Sequence, residues 1–218
     1  MQERDESFSL APINFFQISA VCKFLEETSF PGITAKNAHK YLLPDTSSLC
    51  GEEHFADFSM GWNAEGLTFY VSVQEPFSQV FYPEPQRGDS VEVFIDTRDV
   101  KSSGYNTRFC HHFFFLPAAV EGVQAGEITR FRTEDVHELC DAKELLVLAQ
   151  MKRDRYSLSA FIPAGCLHGY DPEQLKRLGF TYRINRSNGS AQHFSVISQE
   201  YQLEQQPSLW ASLELFIS

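Results

Sequence analysis

The chain is poor in basic residues. Over 218 positions, 18 Lys and Arg stand against 29 Asp and Glu, a formal charge of -11, with a pI near 5.1. Such a surface repels phosphate backbones and anionic lipid, and no basic cluster offsets it, so no nucleic-acid partner is expected. Long hydrophobic runs are missing too. No window approaches the roughly 18 apolar residues of a membrane span, and Met1-Gln2-Glu3-Arg4-Asp5-Glu6-Ser7 is acidic where a Sec signal starts basic, so neither membrane insertion nor Sec export is expected. Cysteine is sparse and odd in number, at 22, 50, 110, 140 and 166, with no C-x-x-C spacing. That pattern predicts reduced thiols in a cytoplasmic setting, with export by a non-Sec route left open. The chain also has no G-x-S-x-G elbow, Walker loop, dinucleotide fingerprint or H-E-x-x-H helix. These absences argue against an enzyme and give no reason to expect a cofactor.

What is present is alternation. Leu67, Phe69, Val71 and Val73 alternate with more polar neighbours, as do Val91, Val93 and Ile95; Tyr156, Leu158, Ala160 and Ile162; and Phe180, Tyr182 and Ile184. A period of two marks strands with one face in a core and one face wet. Further strands are expected over 15–21, 55–63, 108–116, 128–132, 145–152, 192–198 and 208–216. Turn residues punctuate them at 63–66, 102–104, 163–165 and 188–190. Many short strands between turns predict an all-β fold, a single antiparallel β-sandwich of immunoglobulin or jelly-roll kind with one or two short helices. The best helix signal is Asp171-Pro172 through Gly179, with an N-cap, a proline at the first position and a closing glycine. No linker divides the chain. One domain is expected over 13–218, behind a mobile leader at 1–12, with 75–88 as a long Pro- and aromatic-rich surface loop.

Four segments carry a family resemblance. Gly61-Trp62-Asn63-Ala64-Glu65-Gly66-Leu67-Thr68-Phe69-Tyr70-Val71 and Gly88-Asp89-Ser90-Val91-Glu92-Val93-Phe94-Ile95-Asp96-Thr97 are followed by Gly179-Phe180-Thr181-Tyr182-Arg183-Ile184-Asn185. Pro207-Ser208-Leu209-Trp210-Ala211-Ser212-Leu213-Glu214-Leu215 closes the series. In this order they resemble family 9 carbohydrate-binding modules and the wider DOMON-like sandwiches, and Asp96-Thr97-Arg98-Asp99 leading into Arg108-Phe109-Cys110-His111-His112-Phe113 is similar to uncharacterised bacterial relatives. The resemblance implies a non-catalytic module in which two tryptophans clamp a sugar ring while arginine, asparagine and acidic groups bond its hydroxyls. At the two clamp positions this chain has Gln86 and Glu204, and Tyr82 and Tyr201 are the nearby aromatics able to fill that space. Candidate ligand-binding residues are therefore Arg183 and Asn185, together on the wet face of one strand, with Tyr82, Arg98 and Arg108. The partner is a carbohydrate or, if sugar binding has been lost, another protein.

Three further groupings stand out. Asp89, Glu92, Asp96 and Asp99 have the oxygen ligands that calcium takes, and Arg98, Asp99 and Arg108 are placed to form an ion-pair cluster. Cys110-x-His112 and Cys166-x-His168 together hold the two sulfurs and two nitrogens of a tetrahedral zinc site. Ordinary surface carboxylates and a core histidine are the plainer readings, and no metal is assigned. Along the 107–117 strand His111 shares the face of Phe109, Phe113 and Phe115, while Cys110 and His112 face the other way.

Overall fold

The computed structural model describes residues 12–198 and 201–217. Eleven strands form one sheet: β1 (Ser19–Phe24), β2 (Ala56–Asn63), β3 (Gly66–Val73), β4 (Ser90–Asp96), β5 (Cys110–Val120), β6 (Val123–Glu127), β7 (Leu146–Met151), β8 (Tyr156–Pro163), β9 (Arg177–Asn185), β10 (Ala191–His193) and β11 (Ala211–Phe216). Their order is β6-β5-β4-β9-β11-β1-β2-β3-β8-β7, with β10 beside β9. The β5–β6 and β7–β8 ends of the sheet come into contact, so it is nearly closed and barrel-like. This differs from the expected antiparallel sandwich in two ways. The two halves are continuous, and β1 runs parallel to both β11 and β2. One parallel strand inserted between two antiparallel arms carries the hydrogen-bond ladder from one half to the other.

The interior is aromatic. Phe58 of β2 stacks on Phe69 at 5.2 Å and on Tyr182 of β9 at 4.4 Å, and Phe69 meets Phe115 of β5 edge-on at 4.9 Å. Phe58 and Phe69 come from one arm of the sheet and Tyr182 and Phe115 from the other, so the stacked and edge-on contacts join the two. The β2–β3 turn is fixed by Asn63, whose side-chain oxygen accepts from the Glu65 and Gly66 amides. Gly66 sits at φ +149 where a Cβ would lie 2.1 Å from the Ile162 carbonyl oxygen, so no other residue fits.

The expected wet faces are mostly buried. Every residue of β4 is buried, as are nearly all of β3 and β9. On β2–β3 the outer layer comes from Leu25, Ile33 and Tyr41 around Tyr70. On β4–β5 it comes from Val196, Leu203 and Trp210, which cover Phe94 and Cys110.

Several element expectations need correction. The helix over 171–179 is a single turn: the Asp171 carboxylate accepts from the Gln174 amide at 3.1 Å and its carbonyl from Leu175 at 2.8 Å. Leu178 is instead taken by the sheet, opposite Leu213. Among the described residues the one α-helical turn, α1 (Ser47–Cys50), lies elsewhere. The strand expected at 128–132 is β6, five residues earlier, reached through a Glu121-Gly122 turn with both φ angles positive. Cysteine is not wholly reduced, since Cys140 and Cys166 form a disulfide and Cys22, Cys50 and Cys110 are buried thiols. The leader, apart from Pro12, lies outside the described residues.

Candidate functional site

Glu92 is the centre of a polar cluster on the outer face of β4 and its two neighbours. Register places it opposite Arg183 on β9 and Phe114 on β5, with Ser90 opposite Asn185. Because alternate residues of each strand point inward to the aromatic core, these outward side chains converge. Nε of Arg183 donates to Glu92 Oε2 at 2.8 Å, and Nδ2 of Asn185 reaches the same oxygen at 2.7 Å. Nε2 of His112 lies 2.9 Å from Oε1; a carboxylate only accepts, so this nitrogen carries the proton. Asn185 also donates to Ser90 Oγ, which in turn donates to the Pro85 carbonyl and ties the 75–88 loop to the cluster.

The cluster is sunk into the surface rather than laid on it. The Glu92 side chain is 1% exposed and that of Arg183 12%, so these residues do not form the open wet face expected for them. Burial alone would raise the Glu92 carboxyl, but the His112 bond and the Arg183 charge outweigh it and hold the group well below the usual carboxylate range. For Arg183 burial acts downward, and Glu92, with a further contribution from Glu204, reverses it. Glu204 is thus near enough to act on the guanidinium. Tyr82 is 42% exposed, with its ring 5.8 Å from that of Phe114. Tyr201 packs against the Phe94 group.

Of the five candidate residues, the structure joins Arg183 and Asn185 through Glu92, and Tyr82 lies against Phe114, the β5 residue opposite Glu92. Arg98 and Arg108 lie at the other end of β4 and β5. Arg98 bonds the Gly169 carbonyl and lies over Phe109, while Arg108 pairs with Asp135. Asp99 pairs with Lys101 and accepts from Ser212, so the expected Arg98-Asp99-Arg108 cluster does not form. The four carboxylates weighed for calcium are also separated in role. Asp89 holds Arg186 and the Ser78 and Ser187 amides, and Asp96 accepts from the Arg98 and Val100 amides. The paired C-x-H zinc arrangement fails as well, because His112 is bound to Glu92 and Cys166 is bridged to Cys140.

Two clusters were not anticipated from sequence. His111 Nδ1 and His137 Nε2 both approach Glu127 Oε1, at 2.9 and 2.8 Å. The available signal was a glutamate in phase with inward Ala125, since a charge on a core-facing position requires a partner. In the second, Glu52 Oε1 lies 2.6 Å from His193 Nδ1 and Ser198 Oγ 2.7 Å from Nε2. His193 N also donates to Glu52 Oε2 at 2.8 Å, which ties the 193–198 turn to the end of α1. These partners are about 140 residues apart in the chain, and no local pattern joins them.

Comparison with known structures bears on the fold. A family 9 carbohydrate-binding module from Caldicellulosiruptor kristjanssonii, in complex with cellotriose, matches with a TM-score of 0.67 and 15% identity over 92% of this chain and 95% of that one. The chain has the fold of a family 9 carbohydrate-binding module. A module from the same organism in complex with glucose gives a TM-score of 0.64 at 14% identity, over 92% of this chain and 97% of that chain. A candidate carbohydrate-binding protein from Bacteroides uniformis gives 0.58 at 9%, over 92% and 100%. No protein-family model and no curated protein matches the sequence. Among the described residues, no helix is long and apolar enough to cross a membrane.

Proposed function

We propose that this chain is a non-catalytic, carbohydrate-binding-type module whose ligand surface is the Glu92-Arg183-Asn185 cluster together with Tyr82. The observation that carries the reading is the Glu92 carboxylate, which holds Arg183, Asn185 and His112 in fixed positions, with exposed Tyr82 against Phe114 on the neighbouring strand. Sugar hydroxyls accept as well as donate, so one suits the Arg183 guanidinium, while both Asn185 amide hydrogens and the Glu92 carboxylate are spent on holding the cluster together. The tyrosine face supplies the apolar, polarised contact that a pyranose C–H face prefers. Glu92 uses Nε and Nη2 of Arg183 and leaves Nη1 for a ligand. Fold neighbours that bind cellotriose and glucose support the same class of ligand. Gln86 and Glu204, the positions of the implied clamp, make the rim more polar and predict a weaker stacking contribution here.

The test is a glycan array beside thermal shift with mono- and oligosaccharides, on the wild-type chain and Tyr82→Ala. Tyr82 is exposed, so its removal leaves the fold intact. Selective binding, a ligand-dependent rise in melting temperature and at least a tenfold loss of affinity in Tyr82→Ala support the reading. The absence of binding to any glycan overturns it and favours a protein partner.

A further inference from the structure

A second site lies on the opposite face of β5. His111 points inward from the strand whose next residue, His112, belongs to the outer cluster. Its side chain is fully buried, as is that of Glu127 at the end of β6, and the His137 side chain is 3% exposed. One potential ligand atom from each of the three lies within 4.8 Å of the others, the one such His, Cys and carboxylate group found among the described residues. The rings of His111 and His137 are 4.3 Å apart, and His168 stacks parallel to His137 at 5.9 Å.

Either an added proton or a metal cation satisfies the polar contacts of this group. Glu127 Oε1 receives His111 Nδ1, His137 Nε2 and the Thr129 hydroxyl at 2.9, 2.8 and 2.6 Å. His137 Nδ1 is 2.7 Å from the Arg108 carbonyl, which can only accept. Both nitrogens of His137 therefore face acceptors, so a neutral ring leaves one of them acceptor to acceptor, while an imidazolium donates to both. A metal cation between His137 Nε2 and Glu127 takes the place of that second proton. It keeps Nδ1–H on the Arg108 carbonyl, the arrangement that orients metal-bound imidazoles. Glu127 Oε2 is separately anchored by the Cys140 amide at 2.8 Å.

We propose that His111 Nδ1, the Glu127 carboxylate and His137 Nε2 bind a divalent ion of the zinc class. Two imidazoles and one carboxylate form a donor set that zinc accepts with three protein ligands and one open position. Ligand atoms at about 2.0–2.1 Å from a tetrahedral zinc lie about 3.3 Å apart, so the present 2.8–2.9 Å separations need to open by about half an ångström. An open cleft lined by His137, Cys140, Cys166 and His168 adjoins the group and gives a route for the ion. The sugar-binding reading neither requires this site nor depends on it, because the two clusters use opposite faces of β5.

The chain would be stripped with a chelator, titrated with zinc chloride by calorimetry without reductant, and assayed for metal after desalting. We expect one zinc per chain, and the visible absorption of four-coordinate cobalt(II) when cobalt is substituted. His137→Ala should bind at least tenfold more weakly, and circular dichroism would verify its fold. His54→Ala, which removes a half-exposed histidine between Asp45 and Asp57, should bind as the wild type does. Substoichiometric zinc in the wild type, or unchanged affinity in folded His137→Ala, overturns the proposal. Uptake only after reduction also overturns it, by moving the site to the thiolates of Cys140 and Cys166.

Discussion

Glu92→Gln tests whether the outer cluster is held by charge. The substitution keeps the shape but removes the carboxylate that meets Nε and Nη2 of Arg183 and the Nε2 of His112. An uncompensated guanidinium would then sit in a site where its side chain is 12% exposed. Breaking a buried pair by neutralising one member costs about 3–5 kcal/mol. The residual exposure of Arg183 puts the expected loss at the low end, about 3 kcal/mol. For a chain of this size that corresponds to a fall of about 6–12 °C in melting temperature. Urea unfolding followed by the fluorescence of buried Trp62 and Trp210 should show a lower midpoint at unchanged slope. Replacing both partners, as Glu92→Leu with Arg183→Met, should recover most of the loss, because a buried pair exchanged for apolar groups of similar volume is close to neutral. A loss below about 1 kcal/mol in Glu92→Gln, the size of an exposed pair, would refute the reasoning and show that water reaches the guanidinium. Arg183→Ala is expected to destabilise as well, because it leaves the buried Glu92 carboxylate without its cation.

Two other outcomes follow from the geometry. The Glu92 carboxyl is depressed in the folded chain, so its contribution is fully present above the unfolded value near pH 4.3. It is lost as pH falls below that value toward the folded one; urea midpoints from pH 6 to 3 should therefore drop more steeply in wild type than in Glu92→Gln. The Cys140–Cys166 bridge closes a separation of 26 residues, for which the chain-entropy model gives about 3–4 kcal/mol; a phosphine reductant should lower the melting temperature, and Cys140→Ser with Cys166→Ser should remove that sensitivity.

Sequence periodicity located the hairpin of β2 and β3, the strands β4 and β9, and the shared outward face of Arg183 and Asn185. Alternation gives the side of a strand on which a residue lies, and that is a local property. It does not give what covers that side. Leu203 and Trp210 reach Phe94 from more than a hundred residues away, which is why the expected wet faces proved to be buried. The same limit explains β1, whose parallel pairing with β11 joins opposite ends of the chain. It also explains residues 177–180, where a good helical cap gave way to pairing with β11. Arg98, Asp99 and Arg108 are near in sequence and were grouped for that reason, yet each found a separate partner after folding.

The two proposed sites are coupled by the register of one strand. His111 and His112 are adjacent, so they must face opposite sides of the sheet, and only the pairing of β5 with β4 decides which faces the core. Phe113 and Phe115 settle it. Both are fully buried opposite Val93 and Val91, and a slip of one residue would replace them in the core with His112 and Phe114. The same slip would carry His112 away from Glu92 and His111 away from Glu127. Thus the hydrophobic preference of two phenylalanines fixes the protonated contact on the outer face and the candidate metal ligand on the inner face. A substitution that loosens β5 should therefore weaken both together, whereas Glu92→Gln and His137→Ala each act on one face alone.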